Sequence, residues 1–341
     1  MMNESSLSPG KPPSRRGLYL PFILLGALFL GWSLLWLYLA HRAGTIADGF
    51  VLREGERGRD WICPDREIVG YPFRIEIRCK APRVTFREQD GLRHEGSLGG
   101  LIFHARILAP GHFIATFLPP FRARHGEAGE MDLGWKSARA SLKAGNEGIG
   151  EFSFELAEPV LAAGPHGRED VRVLAKGFEL HLRRSPGEKT GTDLVARVTD
   201  MTFAPFDALM GNNAPIRFEF QASAPGLVAD PGRRFQDIVE EWRLANGQAR
   251  VILAQITKGQ ANIDLSGVMG LDSERRLEGN LQGRAKGLDA LGGLMGRRGG
   301  LDLGGVLGKM SGGQGLPVAL TFQNGRARFG PFPLFELAPL Y

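Results

Sequence analysis

Two cysteines, seven histidines and four tyrosines are spread over 341 residues. So few thiols exclude a disulfide-dense scaffold and a four-thiolate zinc site. Charge of one sign is also missing, since 42 Lys and Arg stand against 37 Asp and Glu, a net +5. Lys11, Arg15 and Arg16 against Glu4 put +2 of this into residues 1–17, which leaves +3 for the rest. No concentrated basic footprint remains, and 21 phenylalanines beside four tyrosines do not make a base-stacking surface. Nucleic acid is excluded as a partner.

Catalytic signatures are absent as well. There is no HExxH, no GxSxG and no histidine pair at metal-ligand spacing. Gly304 to Met310 approaches a phosphate loop, but Leu303 holds the first glycine position and Met310 replaces the Ser or Thr that would meet magnesium. Gly145 to Gly150 lacks the dinucleotide fingerprint. Scattered histidines such as His104 and His112 read as solvated or satisfied side chains. The expectation is a protein without catalytic residues, metal or cofactor, and not an enzyme.

What the chain does have is apolar content, 43%, enough to exclude wholesale disorder. Leu18 to Ala40 is a run of 23 residues without a charge. At about 1.5 Å per residue it reaches roughly 34 Å, against a hydrocarbon core of about 30 Å. Pro21 sits in its first turn, Tyr19 at one end, and Trp36 and Tyr38 at the other, as interfacial aromatics do. The run is too long for a signal peptide, and His41–Arg42 follows where a cleavage site would be. Gly26 and Gly31 are five apart and form no GxxxG face. This predicts an uncleaved single-pass anchor. The basic tail places residues 1–17 in the cytoplasm and the bulk of the chain across the inner membrane, in the periplasm.

Residues 41–60 read as a membrane-proximal helix or linker, with Ile46, Phe50 and Leu52 as a narrow stripe ending near Gly55 or Gly58. From Trp61 the period changes to two. Phe73, Ile75 and Ile77 alternate with Arg74, Glu76 and Arg78; Phe152, Phe154 and Leu156 alternate with Glu151, Ser153 and Glu155. The same holds around Phe178, Leu180 and Leu182, around Ile216, Phe218 and Phe220, and from Arg276 to Lys286. Half-buried strands with one wet face belong to antiparallel sheets. Turn signals at Asp90–Gly91, Pro110–Gly111 and Asn324–Gly325 punctuate them. The fold class is therefore mainly β: one N-terminal membrane helix, then a large antiparallel body over 61–341, groove-like or sandwich-like. Short helices are expected over 205–210 and over 231–245, the latter capped by Asp230 and stopped by Asn246–Gly247. Residues 286–315 hold 12 glycines among leucines, a flexible segment that reads as a mobile loop or as an apolar lid.

Several features suit a site. Cys63 and Cys79 are either a disulfide worth about 3 kcal/mol on the chain-entropy model or two free thiols. The turn Gly70-Tyr71-Pro72-Phe73 opens a strand whose start lies at an edge or bulge, as edge protection or as a groove mouth. The stretches 112–118 and 248–258 are apolar on both faces, fitting a dry core or a lipid-sized groove. The proline-rich end from Phe329 to Tyr341 reads as an extended arm, packed along the sheet or reaching for a partner.

Trp61-x-Cys63, Gly70-Tyr71-Pro72-Phe73-Arg74-Ile75 and Cys79, after a single N-terminal span, resemble an uncharacterised alphaproteobacterial envelope family, domain of unknown function twenty-one twenty-five. More loosely, Leu320-Thr321-Phe322-Gln323-Asn324-Gly325-Arg326 through Phe329-Gly330-Pro331 is similar to the close of AsmA-type proteins. That likeness implies a membrane-anchored periplasmic β-groove implicated in lipid movement and outer-membrane assembly. The leading expectation is a non-enzymatic envelope factor whose trough, lined by Phe73, Phe113, Phe117, Phe152 and Phe154, binds or passes a membrane lipid's acyl chain. The alternative is an interaction scaffold with a closed core that recruits an envelope protein by strand addition. A hydrolase with an unseen site ranks last.

Overall fold

The computed structural model describes residues 16–87, 93–125, 129–145, 148–165, 170–186, 190–210, 212–230, 233–287, 315–330 and 332–341. Asp90–Gly91, Gly304–Met310 and residues 288–314 of the expected glycine-rich segment lie outside them.

The apolar run and the stretch expected as a separate helix or linker form one helix, α1 (Arg16–Glu56). Nothing in residues 41–56 breaks it, because no proline follows Pro21 and no glycine there requires a left-handed backbone until Gly58. Its 41 residues span about 60 Å, twice the hydrocarbon core, so a charged upper part extends beyond the apolar run. Among the described residues twenty strands follow. β1 (Arg59–Ile62), β2 (Glu67–Val69), β3 (Arg74–Lys80), β4 (Arg83–Arg87), β5 (Arg93–Arg106) and β6 (Ala109–His125) come first. Then come β7 (Gly129–Gly134), β8 (Ser137–Gly145), β9 (Gly148–Ala157), β10 (Val160–Gly164), β11 (Val171–Leu174), β12 (Gly177–Arg184) and β13 (Gly191–Phe203). α2 (Ala204–Met210), β14 (Ile216–Pro225) and α3 (Phe235–Leu244) precede β15 (Ala249–Lys258), β16 (Ala261–Leu271), β17 (Leu277–Lys286), β18 (Leu316–Gln323), β19 (Arg326–Phe329) and β20 (Phe332–Glu336).

All twenty belong to one antiparallel sheet. Its main ladder runs β2-β3-β5-β6-β8-β9-β12-β13 and onward in chain order to β20. A shorter branch continues the same strands past a line of interruptions, pairing β1 with β4 and joining β6 to β13 through β7, β10 and β11. That line passes through Ala81, Gly99, Pro119–Pro120, Lys136, Glu158 and Asp200, three of which (Ala81, Glu158 and Asp200) adopt positive φ. Side-chain parity shifts there: inward residues are even-numbered in β8, β9 and β12 but odd-numbered in β7, β10 and β11. A slip of one residue would turn every side chain over, so an extra residue at the break keeps the apolar set on one side.

Two turn assignments need correction. The turn joining β5 and β6 is Ile107–Leu108, and Pro110–Gly111 lies inside β6, where Gly111 approaches the Ala144 carbonyl too closely for a side chain. Asp230 does not cap α3. The helix starts at Phe235 after Arg234, whose guanidinium pairs with first-turn Asp237. Asn324–Gly325 is a turn as expected, both residues at positive φ. The C-terminal arm becomes β20, hydrogen-bonded to β19, and Tyr341 reaches Glu240 on α3.

Candidate functional site

Register carries the apolar residues of successive strands into unbroken rows. From β3 to β12 one row reads Ile75, Ala105, Phe113, Leu142, Phe152 and Leu182. From β13 to β18 it continues through Leu194, Ala222, Val251, Gly267, Leu281 and Leu320. Two residues along, a parallel row contains Phe103, Ala115, Ala140, Phe154, Leu180 and Ala196. A third contains Leu101, Phe117, Ala138, Leu156, Phe178 and Val198. Twelve strands at about 4.8 Å each make a path of roughly 53 Å between the outermost, with no charged side chain in these rows.

The opposite face is a lattice of ion pairs: Lys143–Glu151 (2.5 Å), Arg183–Asp193 (3.2 Å), Arg197–Glu219 (3.0 Å) and Arg122–Asp132 (2.8 Å). These arginines and lysines are 45–67% exposed. Phe113, Phe117, Phe152, Phe154 and Phe178 are half-buried instead. On the apolar side Phe117 and Phe154, on strands separated by β8, bring their ring centroids to 6.1 Å over the small Ala138, itself 2% exposed. Phe154 is 6.1 Å from Phe178, and Phe103 stacks on Phe113 at 5.8 Å. Among the described residues α2 reaches this face at its β14–β15 end, where Lys258, opposite Ile216 and 2% exposed, bonds Asp207. α1 packs on β1, β2 and β3, α2 packs on β13, and α3 sits beyond the end of β14, where Trp242 donates to the Pro225 carbonyl (2.8 Å). At the C-terminal end Val251, Leu265, Leu281, Phe322 and Ala327 form a closed, dry cluster.

Four of the five expected lining phenylalanines thus share one face, and Phe73 does not. It precedes β3, is 64% exposed, and its ring lies 6.3 Å from Trp32 of α1. Phe103, Phe178, Phe218 and Phe220 belong to the face although sequence reasoning did not place them there. Their alternation was visible, but only register shows which strands are neighbours. Cys63 and Cys79 are joined by a disulfide with Cα atoms 5.5 Å apart, and Cys79 is buried in the third apolar row opposite Leu101.

Apart from the buried Lys258–Asp207 pair, the histidine contacts lie on the opposite face. His112 is hydrogen-bonded to Ser141 (3.0 Å) and His181 to Ser153 (3.0 Å), with Glu179 3.6 Å from the other side of His181. Ser153 sits on β9 between β8 and β12, so the backbone N–H groups around it are committed to the ladders and none is left to hold an oxyanion. Burial pushes the His104 imidazole below its ordinary value, which the Glu76 carboxylate only partly offsets. Among the described residues no three His, Cys, Asp or Glu side chains converge as a metal site would require.

A model of the uncharacterised bacterial protein family DUF2125 matches residues 36–338, and the chain belongs to that family. No curated protein and no solved structure matches the chain, which leaves the AsmA-type likeness without support.

Proposed function

We propose that this DUF2125 member is a membrane-anchored lipid-binding trough, a non-enzymatic envelope factor that holds or passes acyl chains. One observation carries the reading: an apolar face crossing the eight strands from β3 to β14, largely half-buried, with only α2 reaching its far end among the described residues. Left to water, such a surface is a large uncompensated apolar patch, and its natural occupant is a flexible hydrocarbon. Seven spacings of about 4.8 Å make roughly 34 Å, more than twice the half-thickness of a bilayer core, about 15 Å. Acyl chains fit along it end to end. In this reading α1 spans the inner membrane with residues 1–17 in the cytoplasm, and the trough stands in the periplasm.

Ala196 tests the proposal. It lies on the trough floor between Leu180 and Phe220, on a face with room above it. Ala196→Trp fills the trough without emptying a core. The expected result is full-length protein with native strand content and most of its co-purifying lipid lost, read by mass spectrometry against wild type. Wild-type protein that carries no lipid would sink the proposal and leave the closed scaffold, recruiting envelope proteins through an edge, as the better reading.

A further inference from the structure

The turn before β3 does not merely start a strand; it lies against the apolar run of α1. Trp32 Nε1 donates to the Pro72 carbonyl (2.9 Å) and Trp36 Nε1 to the Arg74 carbonyl (2.9 Å). Ser33 Oγ and Tyr71 Oη are hydrogen-bonded at 2.9 Å. Three ring contacts surround these bonds: Phe29–Tyr71 at 6.5 Å, Trp36–Tyr71 at 5.6 Å and Trp32–Phe73 at 6.3 Å. The chain reaches back alongside its own helix to a level that water does not occupy.

That level follows from arithmetic. Trp32 and Trp36 precede Ala40, the last residue of the apolar run, by eight and four positions. At about 1.5 Å per residue, their partners sit roughly 12 and 6 Å inside the end of the run. A second turn joins the first, since the Ile107 N–H donates to the Phe73 carbonyl (3.2 Å). The side chains displayed there are apolar and uncovered: Leu108 is 76% exposed, Phe73 64% and Tyr71 44%. In water this would be an unfavourable cluster; in a bilayer it is the expected composition, and the Tyr71 hydroxyl, about 10 Å inside the end of the run, is satisfied by Ser33.

Charge marks the upper limit of insertion. Arg74 and Arg106 face each other directly across β3 and β5. Like charges in that position destabilise a sheet unless an anion lies between them. Arg74 pairs with Glu76 (3.2 Å), while Arg106 makes no ion pair among the described residues. A lipid phosphate supplies the missing negative charge and favours the guanidinium fork.

We infer that the turns Gly70–Arg74 and Ile107–Leu108 form a second membrane-inserted element, a tip seated in the leaflet nearer the β domain with Arg74 and Arg106 at the phosphate level. The inference rests on α1 spanning the bilayer and not on what the trough holds. It makes the sheet's attachment to the membrane two-pointed, which fixes the tilt of the body above the surface.

The test uses the wild-type full chain in vesicles containing phosphatidylglycerol with an acyl-borne diazirine, followed by peptide mapping. Label is expected in α1 and in the peptides holding Tyr71–Phe73 and Leu108, on the order of tenfold above the Lys136 and Glu158 loops, because only groups in hydrocarbon meet the probe continually. Labelled α1 with both turns as clean as those loops overturns the inference. Unlabelled α1 would overturn the anchor reading and the tip with it. Label around Phe152–Leu156 reports on the trough separately, so the two proposals fail independently.

Discussion

Glu240 shows how single side chains hold the far end of this molecule. Its carboxylate accepts from Arg243 (2.9 Å) and from the Tyr341 hydroxyl (2.6 Å), with Arg275 at 3.5 Å, so α3 and the C-terminus meet on one charge. The Arg243 guanidinium, and next the Tyr341 hydroxyl, hold this carboxyl well below the usual carboxylate range. A depressed folded pKa stabilises the folded state above the ordinary value and loses that contribution as pH falls through the lowered one. Hydrogen exchange at residues 337–341 is therefore expected to stay slow through the ordinary carboxylate range and to rise only in stronger acid. Arg243→Gln should move that release up to the ordinary range; release of the wild-type end at the same pH would refute the assignment. At this scale the sequence was readable where alternation was strict, as for Phe113, Phe117, Phe152 and Phe154. It misled at Phe73, because a residue one step outside a strand continues the strand's parity while belonging to a turn. Asp230 failed as a cap for a related reason: Arg234 and Asp237 supply the charge pairing at the true helix start, and propensity alone does not reveal which start wins.

Elements extend the same logic. The upper part of α1 covers the β1–β3 edge of the sheet through Phe50 against Trp61 (5.9 Å), Glu54 with Arg57 and Arg59, and Asp48 with Arg66 (2.7 Å). An uncovered edge there would invite pairing with other chains. The Cys63–Cys79 bridge closes a short loop across this region, between the residue after β1 and the end of β3. Removing it with Cys63→Ser and Cys79→Ser together is expected to cost about 3 kcal/mol on the chain-entropy model, read as a lower denaturant midpoint with a steeper slope, since the uncrosslinked chain unfolds to a more expanded state. No shift in midpoint would show that α1 already restrains the loop. Antiparallel strands and their polar faces were legible from period two. The continuity of α1 was less so, since a charged helix and a linker have similar composition. The line of breaks through Gly99, Pro119–Pro120 and Glu158 was invisible, because a parity shift has meaning only once partners are known.

For the whole molecule, one sheet with an apolar face and a charged face is tied to a helix long and apolar enough to cross a membrane. Closed core and open trough produce the same alternation in sequence, and burial separates them: the dry cluster around Leu281 is closed, whereas the rows through Phe117, Phe154 and Phe178 stay half-buried. In the proposed function the half-buried face meets acyl chains. Its most direct test is photo-crosslinking in cells with p-benzoylphenylalanine at Phe154, on the inner face, and separately at Glu155, the next residue on the outer face. A lipid adduct is expected at 154 and none at 155. Equal adducts, or a protein adduct at 154 in place of lipid, would contradict the proposed function.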